Sequence, residues 1–281
     1  MLHLNVKRVI KERINKYQLL AARLLNALYY KTGIKAFRAL SNKLAFGVVI
    51  EVKGILYILT CVSDLAEVAP EYEHEVFRKL LDIIKPGFNF IDVGAHIGRY
   101  SFPIAKLLGE NGLVIAIEPD SRVFKALTKG IELNDLRNVI ALNIALGHRD
   151  GEAALCQKYV TATSSIIEYE RCERIVKVPM RSLDSLITEL KISHIDVIKI
   201  DAEGAEVQIL KGAINTIVRL KPYIIVEVRH SNLNEFKELI KGLRYSCEIL
   251  LHGLSDNVFL CLPQDVSKQR SNMNYEEGVH V

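Results

Sequence analysis

The sequence predicts an α/β fold built on a doubly wound, largely parallel sheet, and three observations carry that prediction. Short, β-branched apolar runs recur between residues 88 and 262, and amphipathic helical patterns alternate with them. Four successive runs end in an acid: Asp92, Glu118, Asp201 and Glu227. Strands that are nearly continuous in apolar residues belong to sheets covered on both faces, which is the condition of a parallel sheet flanked by helices. In such sheets ligands bind beyond the carboxyl ends of the strands, where these acids stand.

Taken in order, residues 1–43 read as helical, broken near Thr32-Gly33, with Val9, Ile10, Ile14, Tyr17, Leu20, Leu24, Leu25 and Leu28 at helical spacing. Residues 46–60, FGVVIEVKGILYILT, read as a hairpin turning at Lys53-Gly54. EYEHEVFRKLLDIIKPG predicts a helix with Val76, Phe77, Leu80, Leu81 and Ile84 on one face, stopped by Pro86-Gly87. Strand 88–93 leads to a helix around 98–108. Strand 113–118 leads to a helix around 121–133, whose Val123, Phe124, Leu127 and Ile131 face inward, and strand 138–146 follows. Strand 195–201 precedes a helix around 203–218, with Val207, Leu210, Ile214 and Ile217 inward. Strand 223–228 precedes helix 232–242, and strands near 245–251 and 257–262 close the sheet. Segment 151–182 interrupts the alternation: EAALC and RIVKVPM flank the polar loop YVTATSSIIEYE, which reads as a hairpin excursion near the site. The chain divides into a basic helical extension (1–45), a main domain (46–263) and a polar tail (264–281).

An apolar share of 49% and a charged share of 25% in 281 residues are ordinary for a soluble globular protein. No apolar run approaches the roughly 18 residues needed to span a bilayer, and the start of the chain lacks a signal-peptide core, so the protein reads as cytoplasmic. Five cysteines, at 61, 156, 172, 247 and 261, form no Cys-x-x-Cys pair. They read as separate, mostly buried thiols in a reducing compartment. The net charge of +4 hides an asymmetry, since residues 1–43 carry ten Lys/Arg and a single acid, Glu12. A basic amphipathic helix suits an anionic membrane or a polyanion. The preferred reading is the plainer one, an apolar stripe packed on the main domain with solvated lysines.

The loop FIDVGAHIGRYS matches neither G-x-G-x-x-G nor the phosphate loop, because His96 stands between Gly94 and Gly98. Asp92 beside it would repel a pyrophosphate and attract a cation. S-adenosylmethionine fits better: it has no phosphate, its ammonium and sulfonium are positive, and its carboxylate can take helix N-terminal amides. Glu118 lies 20 residues beyond Gly98, where an acid can accept both ribose hydroxyls.

FIDVGAHIGRYS, IEPD, NIALGHRDGEA, VPMRSLDSL, IDVIKIDAEGAEVQILKGA and KPYIIVEV occur in that order. The set resembles the FkbM-type S-adenosylmethionine-dependent methyltransferases over about residues 70–262, and DAEGAE (201–206) is its most specific piece. The resemblance implies a Rossmann-like sheet of seven strands with the last antiparallel. It further implies that Asp92, Gly94, His96 and Gly98 lie at the methionine part of the cofactor, Glu118 at the ribose and Ala145 near the adenine. Members are described as O-methyltransferases, often of sugar or natural-product hydroxyls, so a small-molecule or glycan acceptor is implied, and a lipid-linked glycan is among the expected acceptors.

Methyl transfer to a hydroxyl requires alignment, exclusion of water and removal of a proton. Two mechanisms compete. In one, Asp201 or Glu203 is the general base; in the other, Asp201, Glu203 and Glu227 hold a divalent metal that acidifies the acceptor. The metal is the minority alternative. His96 and His230 are alternative bases, Ser164 and Ser165 are candidates for the acceptor pocket, and Glu206 is equally well explained by the macrodipole of its helix. The competing functions are an NAD-dependent oxidoreductase, disfavoured by the missing glycine, and a nonenzymatic S-adenosylmethionine-binding scaffold. No specific nucleic-acid partner is expected: the N/D-P-P-Y/F motif is absent, and Lys221-Pro222-Tyr223 precedes a strand rather than following one.

Overall fold

The computed structural model describes residues 16–32, 35–69, 72–158, 161–167 and 172–264. Two helices, α1 (Lys16–Thr32) and α2 (Lys35–Ala45), pack on each other. The hairpin β1 (Val49–Val52) and β2 (Ile55–Ile58) turns at Lys53 and Gly54, whose φ of 48° and 77° match the right-handed twist of the strands. Then come α3 (Asp64–Glu67) and α4 (His74–Ile83). On α4 the inner face is Val76, Leu80 and Ile83; Leu81, expected inside, is exposed.

Next follow β3 (Asn89–Val93), α5 (Ser101–Leu108), β4 (Leu113–Ile117), α6 (Ser121–Leu133) and β5 (Val139–Leu142). After them come β6 (Ala145–Leu146), β7 (Gly151–Gln157), β8 (Arg174–Arg181) and α7 (Leu183–Glu189). The chain continues through β9 (Val197–Ile200), α8 (Glu206–Lys211), α9 (Ile214–Leu220), β10 (Tyr223–Arg229), α10 (Leu233–Gly242), β11 (Tyr245–His252) and β12 (Asp256–Pro263). Seven strands form one sheet in the order β11-β12-β10-β9-β3-β4-β5. The pairs from β10 through β5 are parallel, and β12 runs antiparallel to both of its neighbours. Alternate residues of each strand serve opposite faces. Phe90, Val114 and Val197 therefore enter one apolar core with Phe102, Leu108 and Leu127, while Ile91, Ile115 and Ile198 enter another with Leu210, Ile217 and Phe236.

The structure differs from the expected elements at three places. The strand expected over 138–146 is two: Asn143 Nδ2 donates to the carbonyls of Glu118 (2.8 Å) and Pro119 (3.1 Å) and draws the chain out of the sheet. β6 then pairs with β8 in a separate three-stranded sheet, β6-β8-β7, which is the expected hairpin excursion. The helix expected over 203–218 is also two. It breaks at Gly212, where a Cβ would stand 2.1 Å from the Gly147 carbonyl, and Asp184 caps α9 through the N–H groups of Asn215 and Thr216. Third, four of the five cysteines are paired, as Cys156–Cys172 and Cys247–Cys261, leaving Cys61 as a buried free thiol. Cys247 and Cys261 are direct partners across β11 and β12, so antiparallel register rather than sequence spacing brings them together. The thiols thus give no support to a reducing compartment. Among the described residues no helix is long and apolar enough to cross a membrane. The expected polar tail beyond Gln264 lies outside the described residues.

Candidate active site

The strand order runs outward from β3 in one direction through β4 and β5, and in the other through β9 and β10, so the crevice between the carboxyl ends of β3 and β9 is the topological switch point. Gly94 makes the turn there with φ 78°, and its N–H and that of Ala95 both donate to the Ile117 carbonyl at 3.0 Å. A Cβ on Gly94 would stand 1.9 Å from the Asp201 carbonyl oxygen. Gly94→Ala is therefore expected to cost at least ~1–3 kcal/mol of stability, measured by denaturant unfolding, and to push β3 and β9 apart at the crevice. Gly98 does not line the crevice. A Cβ there would meet the Phe102 ring at 2.3 Å, so its absence allows α5 to close on the loop. Asp92 also lies behind the wall, 1% exposed, accepting from Ser101 Oγ at 2.6 Å with Lys199 Nζ 3.9 Å away. Burial pushes its carboxyl up against the pull of Lys199.

Glu118 ends β4 and lines the crevice. Its carboxylate accepts the His96 N–H at 3.0 Å on one oxygen and the Asp120 N–H at 2.8 Å on the other, and each oxygen keeps a further lone pair. Burial raises its pKa to about 7, opposed chiefly by His96. Beside it Ile144, Ala145, Leu146 and Leu155 form an apolar slot. Ala145, expected near an adenine, is one of the residues of this slot.

His96 takes φ 48° and lines the crevice, its ring set in a cluster that the sequence reading missed. Nδ1 lies 3.0 Å from Glu67, Nε2 3.8 Å from Asp64, and Nε2 is 3.0 Å from the Thr161 hydroxyl. Burial disfavours the charged ring, but Glu67 and then Asp64 outweigh it and raise its pKa to about 10. The two carboxylates favour the charged ring, which counts against His96 as the base. Asp64, Glu67 and His96 bring one ligand atom each within 4.8 Å of one another, whereas among the described residues Asp201, Glu203 and Glu227 form no such group.

At the other end of the crevice Asp201, Glu203 and Glu227 come together with Lys199, which was also missed. A lysine inside the buried run VIKI was the available signal. Lys199 Nζ is 3.2 Å from Asp201 and 4.7 Å from the Tyr100 ring centroid. Burial lowers its pKa, but Asp201 and Asp92 outweigh that and raise it. Arg99 stacks between the Tyr72 and Tyr100 rings at 4.6 and 4.8 Å, bonds Glu73 at 2.7 Å and donates to the Tyr72 carbonyl. Glu203 and Glu206 do not share a helical face, because α8 begins at Glu206 and Glu203 sits in the preceding turn with φ 53°. Glu206 turns back to accept the N–H groups of Ala202 and Gly204 and does not line the crevice. Glu203 accepts from Arg229 at 2.6 Å. Among the described residues no hydrogen bond or ion pair engages the Glu227 carboxylate.

A second cleft adjoins the first and shares Tyr72, Glu73, Glu203 and Glu227 with it, adding Lys158, Arg229, Ser255 and Asp256. Ser164 lines the first cleft and contacts Asp120 at 3.4 Å, whereas Ser165 is buried against the Glu203 carbonyl at 2.7 Å. His230 is exposed and lines neither cleft.

Burial, then Asp201 and Glu206, raises the Glu203 pKa to about 8; burial, then Asp201 and Asp256, pushes Glu227 well above the carboxylate range. With Glu118 these groups keep protons in the fold that the unfolded chain releases near pH 4–5. The native state then binds more protons than the unfolded one, so stability falls as pH rises. Thermal melts of the ligand-free protein are expected to shift downward between pH 5 and pH 9.

Residues 92–248 match the family described as the methyltransferase FkbM domain. The chain is 26% identical over 179 residues to the hexuronic acid methyltransferase AglP of Haloferax volcanii, covering 63% of this chain and 71% of that protein. It is 24% identical over 187 residues to methyltransferase 1 of Beauveria bassiana, covering 58% and 75%. Methyltransferase FkbM of Methylobacillus flagellatus KT, a solved structure, aligns at 16% identity and a TM-score of 0.47 over 92% of this chain and 58% of that one. The matched segment begins at the acid behind the glycine turn and takes in the end of β3 and all of β4, β9 and β10, and the chain belongs to the FkbM methyltransferase family.

Proposed function

We propose that the protein transfers a methyl group from S-adenosylmethionine to a hydroxyl of a carbohydrate, a lipid-linked glycan or a similar polyhydroxyl natural product. The observation that carries the reading is Glu118, fixed by two backbone N–H groups at the switch point with acceptor capacity left for a vicinal diol. The apolar slot at Ala145 suits an adenine, and Arg99 and Lys199 are the cations available to an amino-acid carboxylate. Six acids line this cleft, Glu67, Glu73, Glu118, Asp201, Glu203 and Glu227. Glu67, Glu73 and Asp201 are paired with His96, Arg99 and Lys199, and burial favours the protonated forms of Glu118, Glu203 and Glu227, so the cleft holds no surplus of positive charge for the pyrophosphate of NAD. S-adenosylmethionine supplies a methyl group activated for direct displacement.

The chain's own task is to hold the acceptor and take its proton. Asp201 is engaged by Lys199 and Glu203 by Arg229, which leaves Glu227, between the two clefts, as the general base. Its raised pKa makes it a stronger base than an ordinary carboxylate. Asp201 and Glu203 are positioning residues that keep the two cations in place. The name of the Haloferax relative, a hexuronic acid methyltransferase, supports a carbohydrate acceptor. Incubation with S-adenosylmethionine and a panel of free and lipid-linked glycans tests the reading. A product heavier by one methyl on oxygen, with S-adenosylhomocysteine released, is expected. Transfer to nitrogen, or to nucleic acid alone, would contradict it. Activity lost to chelator and restored by a divalent ion would move proton removal from Glu227 to a metal.

A further inference from the structure

Residues 13–50 hold seven lysines and arginines and no acid. This run contains the helical pair α1 and α2, for which methyl transfer gives no role. The apolar stripe of α1 was expected to pack on the main domain, and its members Val9, Ile10 and Ile14 lie outside the described residues. Leu24 and Leu28, however, are 58% and 42% exposed. Arg23, Leu24, Ala27, Leu28 and Lys31 are all exposed and fall within an arc of about 140° at 3.6 residues per turn. Two leucines among cations on one outward helical face form neither a core stripe nor an ordinary solvated face. Phe46, just beyond α2, is 54% exposed.

Among the described side chains, the end of α2 joins the pair to the domain. Ala45, at the end of α2, is buried against Val62, with Leu44 and Leu65 beside them. The segment that receives it continues to Asp64, which bonds Thr60 and Cys61, and to Glu67, which lines the cofactor cleft. The basic pair is therefore rooted in the wall of the site.

We propose that the helical pair Lys16–Ala45 docks on an anionic lipid surface through the face formed by Arg23, Leu24, Leu28 and Lys31, holding the catalytic domain at the membrane. Charge complementarity supplies the attraction, and the leucines supply the apolar area that distinguishes a membrane from a soluble polyanion. A polyanion makes no use of exposed leucines. The proposal is independent of the acceptor reading above.

Co-sedimentation of the full chain with phosphatidylcholine vesicles, with and without phosphatidylglycerol, tests it. Binding is expected only to the phosphatidylglycerol vesicles, weakened by salt. It should fall about tenfold or more in Leu24→Asp/Leu28→Asp and in Arg23→Glu/Lys31→Glu, with thermal melting and S-adenosylmethionine titration unchanged. Three results would overturn it. One is no binding to the anionic vesicles. Another is binding that the leucine changes leave intact, which marks bare polyanion attraction. The third is a dimer in light scattering that the leucine changes dissolve, without lipid binding, which assigns the face to a second copy.

Discussion

Glu227→Gln is expected to reduce kcat by roughly 10²–10⁴-fold while leaving S-adenosylmethionine affinity within about threefold. Glutamine keeps the size of the side chain and cannot take a proton. Of the three acids around the reacting end, Asp201 is tied to Lys199 at 3.2 Å and Glu203 to Arg229 at 2.6 Å, so Glu227 alone is free to change its charge without breaking a pair. Burial, with Asp201 and Asp256 nearby, raises its pKa, so the free enzyme must lose that proton before it can act. The wild-type kcat/KM is therefore expected to rise with pH through the neutral range, and the variant should lack that limb. Glu203→Gln keeps a hydrogen-bond acceptor for Arg229 and should lose far less. Wild-type kcat in Glu227→Gln would hand proton removal to another group.

The second large effect concerns the cofactor. Glu118→Ala is expected to weaken S-adenosylmethionine at least ~100-fold, because two hydrogen bonds to a charged group contribute about 1.5–3 kcal/mol each. The same change frees the N–H groups of His96 and Asp120, so some loss of stability accompanies it. Glu118→Gln serves as the control for folding, since it keeps one acceptor and the volume. If it melts like the wild type and still binds poorly, the loss belongs to the ligand. Unchanged affinity in both variants would remove Glu118 from the ribose.

What the sequence disclosed and what it concealed divide along a physical line. Period-two and period-3.6 patterns report burial, and they located the parallel strands and α6 closely, because each strand's alternate residues must enter two separate cores. They also placed Glu118, Asp201 and Glu227 on one crevice, since strand ends in a parallel sheet share one edge. Patterns do not report where side chains break the backbone ladder. Asn143 ends β5 through carbonyls 24 and 25 residues away, and Gly212 ends α8 against Gly147; neither is visible locally. The roles of Asp92 and His96 were hidden for a related reason. A residue beside a glycine turn can line the crevice, as His96 does against Glu67 and Thr161, or lie behind it, as Asp92 does beside Lys199, and only the packing decides which. The Cys247–Cys261 pair depends on antiparallel register, which the spacing of cysteines along the sequence does not reveal.

The central claim is that the crevice at β3, β4, β9 and β10 takes a cationic nucleoside without a phosphate. Calorimetric titration of the wild type and Glu118→Ala with S-adenosylmethionine, S-adenosylhomocysteine and NAD tests it most directly. One-to-one binding of both sulfur nucleosides is expected, lost in the variant, with no heat from NAD. NAD binding, or no binding of either sulfur nucleoside to the wild type, would contradict it.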